Sequence, residues 1–209
     1  MADELVFYTN PMSRGRIARW MLEETGVPYT TELLTFGGSI KAPEYLAVNP
    51  MGKVPTILHG KTVVTECAAI CAYLADTFAD TGLAPRPEER GNYHRWMFFA
   101  AGPLEAAVTN HALGYHIPPD KSRMAGYGSY ADVMDTLEKA VSASPYIAGN
   151  RFTAADVYVG SHVAWGLGFG TIEKRQAFAD YVGRVTDRPA YKRAHAIDEE
   201  AMQAMQKSA

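Results

Sequence analysis

Two chemically active side chains stand together at the start of a predicted helix, where Glu66 and Cys67 follow a pair of short strands. The first strand, Thr56 to Leu58, is opened by Pro55, and proline suits a strand start or edge because it cannot donate a ladder hydrogen bond. A helix N-terminus offers free N–H groups and positive potential, which favour a carboxylate ligand. The alternatives are that Glu66 is an acid favoured by the helix dipole and that Cys67 is a small apolar filler.

A hydroxyl group stands before an earlier helix. Ser13 ends the turn TNPMS, and an amphipathic helix follows with Ile17, Met21 and Leu22 on one face. Serine is a favoured N-cap, and capping uses its oxygen as the acceptor. Its proton remains available to an anion, so the two roles are compatible.

The composition limits the class of protein. The chain has 209 residues, 47% of them hydrophobic, with a net charge of −3 and an isoelectric point near 6.1. These values argue against a nucleic-acid partner bound through a strongly basic surface. No apolar run reaches the roughly 18 residues that a membrane helix needs, so no membrane association is predicted. The acidic start MADELVFYTN is unlike a secretory signal, and a cytoplasmic location is predicted.

The two cysteines, Cys67 and Cys71, lie four residues apart on one predicted helix. Their Cβ vectors would run side by side, so a disulfide there would be strained. We therefore expect no bridge and assign Cys71 to the core. No cysteine or histidine spacing resembles a zinc site, and no metal is predicted.

The order of predicted elements separates two domains. Residues 5–78 are predicted as β-α-β-α-β-β-α, with a first helix from about Arg14 that Gly26 ends. Prolines and mixed charge make 80–88 typical of a linker. Residues 89–209 are predicted to be helical, and Thr153 with Asp156 has the spacing of a capping box. The other helices predicted there are Arg90–Tyr115, Arg123–Ser142, 173–186 and 189–205.

Four stretches in chain order resemble parts of the cytosolic glutathione transferases. They are YTNPMSRGRIARWMLEETGVPY, KAPEYLAVNPMGKVPTI, TECAAICAYL and RFTAADVYV. The serine of the first stretch is most similar to the phi and theta types, and a bacterial source is expected. The resemblance implies an α/β plus all-α fold, in which a thioredoxin-like, glutathione-binding domain over 1–79 precedes an all-helical domain over 89–209.

The resemblance implies glutathione as co-substrate, bound along the strand that Pro55 opens. Pro55 would be cis, and Val54 would pair through its N–H and C=O with the cysteinyl backbone, as in strand addition. Glu66 would bind the γ-glutamyl amine, and the Cys67 N–H its carboxylate. The family usually has serine where Cys67 stands, and a thiol is a weaker donor. A trans proline on an edge strand is the alternative for Pro55.

Two lysines are expected at the other end of the tripeptide. Lys41 and Lys53 flank the same strand edge and suit the glycine carboxylate, each acting as a point charge. The alternative is that both are solvated surface lysines. The phi type often has glutamine where Lys53 stands, so this position departs from the pattern.

Ser13 is the catalytic residue that the resemblance implies. A free thiol has a pKa of about 8.5, and lowering it by two units requires about 2.7 kcal/mol. A hydrogen bond to a charged group contributes about 1.5–3 kcal/mol, and a helix N-terminus about 0.3–1 kcal/mol. Ser13 would therefore hold glutathione as its thiolate without a metal or a base. Tyr8 is the rival, and Arg14 or Arg16 could assist.

The second substrate is predicted to be a small hydrophobic electrophile. The resemblance places it between Met12 and the region of His111 and Tyr115, with 165–169 as another wall. No catalytic role is given to His111 or His116, because the turn lacks the cysteine that such a histidine assists in some bacterial relatives.

The leading hypothesis is conjugation of glutathione to this electrophile by a homodimeric enzyme. One alternative is other glutathione chemistry, such as disulfide or peroxide reduction, isomerisation or dehalogenation. The other is a non-enzymatic protein of the same fold that binds glutathione or regulates a partner.

Overall fold

A computed structural model describes residues 3–207, which form two compact units. The first unit contains the chain up to Thr81 together with the segment from Arg188 onward, and the second contains Gly82–Asp187. The predicted boundaries at 79 and 89 stay a proposal, and the compact units differ from them in where the last helix belongs. Within residues 3–207, no helix combines the length and the apolar character that crossing a membrane requires.

The first unit is built on a mixed sheet of four strands, which are β1 Leu5–Thr9, β2 Thr30–Leu33, β3 Thr56–His59 and β4 Thr62–Thr65. Their spatial order is β2-β1-β3-β4. β1 and β2 are parallel, whereas β3 runs antiparallel to both β1 and β4. Successive side chains alternate between the faces of β1, so Phe7 and Thr9 are buried on one face and Tyr8 is half-buried on the other.

Two helices connect these strands, α1 Gly15–Thr25 between β1 and β2 and α2 Pro43–Leu46 between β2 and β3, and α3 Cys67–Thr77 follows β4. The predicted order β-α-β-α-β-β-α is therefore confirmed, and the sheet with its helices is thioredoxin-like. The apolar face of α1 is buried as its pattern predicts. Gly26, in the left-handed region at φ 67°, ends α1 as expected.

The second unit is helical, with α4 Arg90–Phe99, α5 Glu105–Ala112, α6 Tyr130–Ala143, α7 Ala154–Phe169 and α8 Gln176–Thr186. The prediction of one helix over Arg90–Tyr115 is wrong. A π-helical segment, Ala100–Leu104, separates α4 from α5, and it contains Pro103. Proline lacks the N–H of a regular helical turn and clashes with the preceding one, which accounts for the interruption.

The prediction that a helix begins at Arg123 is also wrong. Pro119–Met124 forms a separate 3-10 segment, and α6 begins only at Tyr130. Ser129 is the N-cap of α6 and forms a capping box with Asp132. Because this box fixes the helix start, the preceding residues are excluded from α6.

The predicted capping box at the start of α7 is confirmed, since Thr153 and Asp156 bond reciprocally. Asp156 is fully buried and accepts hydrogen bonds from the N–H of Thr153 at 2.9 Å and of Ile147 at 2.8 Å. The Tyr181 hydroxyl donates to it at 3.0 Å. Burial raises the pKa of Asp156 from its usual 3.8 to about 6, although these hydrogen bonds favour the charged form.

Asp156→Asn is expected to lower the free energy of unfolding by about 1–3 kcal/mol, because an amide NH2 cannot accept the bonds that one carboxylate oxygen accepts. The folded protein holds the Asp156 proton at higher pH than the unfolded chain does, so this group's contribution to stability falls as pH rises from 3.8 to about 6. Urea unfolding across that range should show a slope in the wild type that the variant lacks. Equal slopes would contradict the shift.

The last helix, α9 Pro189–Lys207, packs against α1 within the first unit. The Arg19 Nε lies 2.7 Å from Asp198 Oδ1, and both side chains are only 1% exposed. A second ion pair joins Arg188 Nε to Glu24 at 2.6 Å. These two ion pairs connect α9 and the residue before it to α1.

Candidate active site

The turn between β1 and α1, residues 10–14, is anchored by a buried asparagine. Asn10 donates from Nδ2 to the Leu34 carbonyl at 2.7 Å and accepts from the Met12 N–H at 2.9 Å. Asn10 is fully buried, so this turn is held at the end of β2. Sequence analysis gave Asn10 no role, because its partner lies 24 residues away along the chain.

Ser13 lies half-buried in this turn, and its hydroxyl already makes two hydrogen bonds. It donates to the Asn10 carbonyl at 2.6 Å and accepts from the Gly15 N–H at 2.9 Å. The assignment of Ser13 as the N-cap is corrected by one position, because α1 begins at Gly15 with Arg14 as its N-cap. The Ser13 oxygen nevertheless binds the first N–H of the helix, and its proton points to a carbonyl that a stronger acceptor can displace.

Tyr8, the rival to Ser13 as the catalytic residue, lies within β1. Tyr8 points to the opposite face of β1 from Thr9, and its ring packs against Tyr45 with a centroid distance of 5.4 Å. Tyr8 also contacts the buried cluster of Leu34 and Ile40. Its place in this apolar cluster favours a packing role.

The two arginines after Ser13 differ in their surroundings. Arg14 is exposed. Arg16 donates from Nε to the Pro11 carbonyl at 2.6 Å, and its Nη2 lies 2.7 Å from Glu199 of α9. Arg16 therefore connects the turn to α9, and its charge is matched by a carboxylate.

The strand start at Pro55 is fixed by side chains from α2 and the loop after it. The Val54–Pro55 peptide is cis, as predicted. Asn49 donates from Nδ2 to the Lys53 carbonyl at 2.9 Å, and the Tyr45 hydroxyl bonds the same carbonyl. Val54 is half-buried against the cluster that contains Tyr45. The Lys53–Val54 backbone, which would face a peptide ligand, is therefore fixed by the side chains of Asn49 and Tyr45.

Both predicted lysines are exposed and belong to the same region of the surface. The Lys41 ammonium donates to the Met51 carbonyl at 3.0 Å. Lys53 lies two residues beyond Met51 in the same loop. The structure therefore brings the two charges to one loop, beside the Val54–Pro55 bond.

The start of α3 has the one positive φ among the non-glycine residues in the range 3–207. Glu66 is the N-cap of α3, with φ 66° and ψ 119°, and its side chain is exposed. Such a conformation costs roughly 1–3 kcal/mol and clusters at ligand sites. As the N-cap, Glu66 lies directly before the free N–H groups of the helix.

Cys67 begins α3 and is buried. Its thiol donates to the Arg14 carbonyl at 3.5 Å, so the side chain joins α3 to the Ser13 turn. Cys71 is fully buried, in agreement with its assignment to the core. A hydrogen bond with Cys67, together with burial, raises the pKa of the Cys71 thiol well above its usual value. Cys67 and Cys71 are both free thiols.

The residues predicted for the hydrophobic substrate are exposed but lie in different units. Met12, on the turn, is 59% exposed. In the second unit, Tyr115 is 67% exposed, and His111 stacks on Tyr130 with a centroid distance of 4.1 Å. Their shared role in one site stays a prediction.

A cavity of about 370 Å³ opens beside the Ser13 turn, within the first unit. Its wall is formed by the turn, the loop after β2 and the end of α9. Phe36, Met202 and Met205 line it, and sequence analysis gave them no role. The full lining is Asn10, Pro11, Met12, Thr35, Phe36, Met202, Met205 and Gln206.

Known proteins are similar to this chain in sequence and in fold. The family model described as glutathione S-transferase, N-terminal domain, matches residues 12–77. Glutathione S-transferase F9 of Arabidopsis thaliana is 30% identical over 149 residues, which cover 65% of this chain and 68% of that protein.

Solved structures agree over nearly the whole chain. A glutathione transferase from Methylococcus capsulatus is 26% identical with a TM-score of 0.77, covering 93% of this chain and 98% of that one. A theta class glutathione S-transferase from Xanthomonas axonopodis, solved with glutathione bound, is 29% identical with a TM-score of 0.72, covering 92% and 97%. The chain belongs to the glutathione S-transferase family. It is a transferase with glutathione as its co-substrate.

Proposed function

We propose that the protein conjugates reduced glutathione, held as its thiolate beside Ser13, to a small hydrophobic electrophile. The observation that carries this proposal is the Ser13 turn, in which a hydroxyl hydrogen-bonded to a helix start directly follows three residues, Asn10 to Met12, that line an apolar cavity. The hydroxyl can stabilise an anionic sulfur, and the cavity can hold an apolar partner for it.

Glutathione binding is proposed along the cis-proline loop and the start of α3. Val54 offers its backbone to the cysteinyl unit, and the Cys67 N–H with Glu66 takes the γ-glutamyl group. Support comes from the exposed Glu66 carboxylate at a helix N-terminus, where the N–H groups favour an anion. Lys53 stands on the cis-proline loop, and Lys41, which precedes α2, donates to the Met51 carbonyl of that loop. Both lysines suit the glycine carboxylate.

The proposed reaction needs no covalent enzyme intermediate. The glutathione thiol releases its proton to solvent, and the sulfur forms a bond to the electrophilic carbon while the leaving group departs with the electron pair of the broken bond. Ser13 contributes by lowering the energy of the thiolate, and the cavity by holding the carbon within reach. The products are a thioether, a proton and the leaving anion.

The test combines a titration with a substrate panel. The ultraviolet absorbance of bound glutathione thiolate, followed against pH, should give a pKa below the value of about 8.5 for a free thiol. The panel contains an activated aryl halide, an organic hydroperoxide and a glutathione mixed disulfide. Thioether formation supports the proposal, whereas reduction of the hydroperoxide or disulfide alone would favour the other glutathione chemistry. Tight binding without turnover would indicate a binding protein.

Shortening the side chains that line the cavity should change the use of the electrophile and leave glutathione in place. Met12→Ala or Phe36→Ala is expected to raise the KM for an apolar aryl halide by roughly 3- to 10-fold, because apolar contact area is lost. The KM for glutathione should change much less. Met124→Ala is the control, because Met124 is 82% exposed and lies in the other unit. An equal rise for all three variants would exclude the cavity as the electrophile site.

A homodimeric state and a cytoplasmic location stay predictions, since they rest on the resemblance. Light scattering at micromolar concentration tests the first. A single-chain mass at that concentration would contradict the predicted homodimer.

A further inference from the structure

A second hydroxyl lies buried beneath the Ser13 turn. Thr9 is the last residue of β1, and its side chain is fully buried on the face that packs against the helices. Its Oγ1 has no hydrogen-bond partner among residues 3–207. An unpartnered buried hydroxyl destabilises a fold, so the Thr9 hydroxyl is available to any acceptor that comes within reach.

The Thr9 and Ser13 hydroxyls converge on one backbone position. A Cβ placed on Gly15 would lie 1.9 Å from Thr9 Oγ1 and 3.0 Å from Ser13 Oγ. A side chain at residue 15 would therefore collide with Thr9. Glycine at this position allows the helix start to lie directly over the Thr9 hydroxyl and beside Ser13.

The Ser13 hydroxyl has the capacity to accept a second donor. A serine oxygen can accept two hydrogen bonds and donate one. One acceptor position is used by the Gly15 N–H, and the proton is given to the Asn10 carbonyl. When that proton turns toward a sulfur anion, the Asn10 carbonyl still accepts from the Ser13 N–H at 3.1 Å. The turn can thus release the Ser13 proton without leaving the Asn10 carbonyl unpaired.

We propose that Thr9 is a positioning residue for the serine, in that its hydroxyl donates to Ser13 Oγ when Ser13 donates to the glutathione thiolate. This inference rests on the proposed function. With donors from Thr9 and Gly15, the serine oxygen is polarised and oriented, and its own proton becomes a stronger donor to sulfur. The Thr9 hydroxyl gains its partner in the same step.

The proposal predicts opposite effects of one substitution on stability and on the thiolate. Thr9→Val removes an unpartnered hydroxyl, so its melting temperature should rise by about 2–4 °C. Its bound glutathione thiol should have a pKa about half to one unit higher, and kcat/KM at neutral pH should fall roughly 3- to 10-fold. Thr9→Ser, which restores the hydroxyl, should rescue both thiol pKa and turnover.

A double variant tests whether Thr9 acts through Ser13. In a Ser13→Ala background, Thr9→Val should produce no further shift of the thiol pKa. Three results would overturn the role of Thr9 and leave the proposed function intact. They are an unchanged pKa of the bound glutathione thiol in Thr9→Val, a shift of that pKa in Thr9→Ser equal to the shift in Thr9→Val, and a lower melting temperature for Thr9→Val. An ordinary thiol pKa in the wild type, or one that Ser13→Ala does not alter, would overturn the proposed function and this inference with it.

Discussion

Ser13→Ala is expected to lower kcat/KM for conjugation by about 10- to 100-fold and to leave the affinity for glutathione nearly unchanged. The variant loses one hydrogen bond to a charged sulfur, which contributes about 1.5–3 kcal/mol, and each 1.4 kcal/mol corresponds to a factor of ten. The γ-glutamyl and glycine groups keep their proposed contacts at α3 and the cis-proline loop. The loss should therefore fall mainly on the fraction of glutathione held as thiolate.

The pH dependence distinguishes this loss from a change in folding. The apparent pKa of the bound thiol should return toward about 8.5 in the variant, so turnover should recover in part at alkaline pH. Ser144→Ala is a matched control, because Ser144 is also half-buried and also donates to a backbone carbonyl, that of Tyr146 at 2.7 Å. If Ser13→Ala turned over like Ser144→Ala, Ser13 would have no catalytic role, and Tyr8→Phe would be the next variant to measure.

The features that could be predicted from the sequence depend on neighbours along the chain. The buried face of α1 follows from the spacing of its apolar residues, and its end follows from Gly26. The capping box of α7 needs only Thr153 and Asp156, which lie three residues apart. The cis geometry at Pro55 has no such local signature, and it could be predicted only from the resemblance.

The features that were missed depend on partners distant in sequence. Arg19 is a charged residue on α1, and nothing near it in sequence indicates that its partner is Asp198, 179 residues away. For the same reason the Met202 wall of the cavity was not foreseen. The close approach of Gly15 to the Thr9 hydroxyl depends on how α1 packs against β1, so it could not be predicted from the sequence. Strand and helix patterns thus predict the positions of Ser13 and Glu66, but they do not predict what surrounds them.

Arg19→Met is expected to lower the free energy of unfolding by about 3–5 kcal/mol, because it leaves Asp198 charged and buried without its ion pair. Arg19 also donates to the Tyr29 hydroxyl at 3.1 Å and lies over the Phe7 ring at 5.1 Å, so methionine keeps part of the packing and loses the charge. Asp198 Oδ2 already lacks a hydrogen-bond partner among residues 3–207. Urea unfolding of wild type and variant measures the loss.

The double variant Arg19→Met/Asp198→Leu separates the cost of an unpaired charge from the contribution of the pair. Replacing both members of a buried pair by apolar residues is often neutral or stabilising, so the double variant should recover most of the loss. Burial raises the pKa of Asp198 even beside Arg19, and removing Arg19 should raise it further. Protonation in the folded state then stabilises Arg19→Met at acidic pH, and that stability is lost as pH rises through the folded pKa. The deficit against wild type should therefore widen as pH rises above the ordinary pKa of an aspartate, which is 3.8.

The matched control is Arg86→Met, which breaks an exposed pair with Glu89 and should have a far smaller effect. If Arg19→Met were as mild as this control, the Arg19–Asp198 pair would not be what holds α9 against α1. If it is severe and the double variant recovers, α9 stays in place without the buried Arg19–Asp198 pair, and the cavity wall at Met202 should remain with it. The KM for the aryl halide in the double variant then tests whether the electrophile site persists without this buried ion pair.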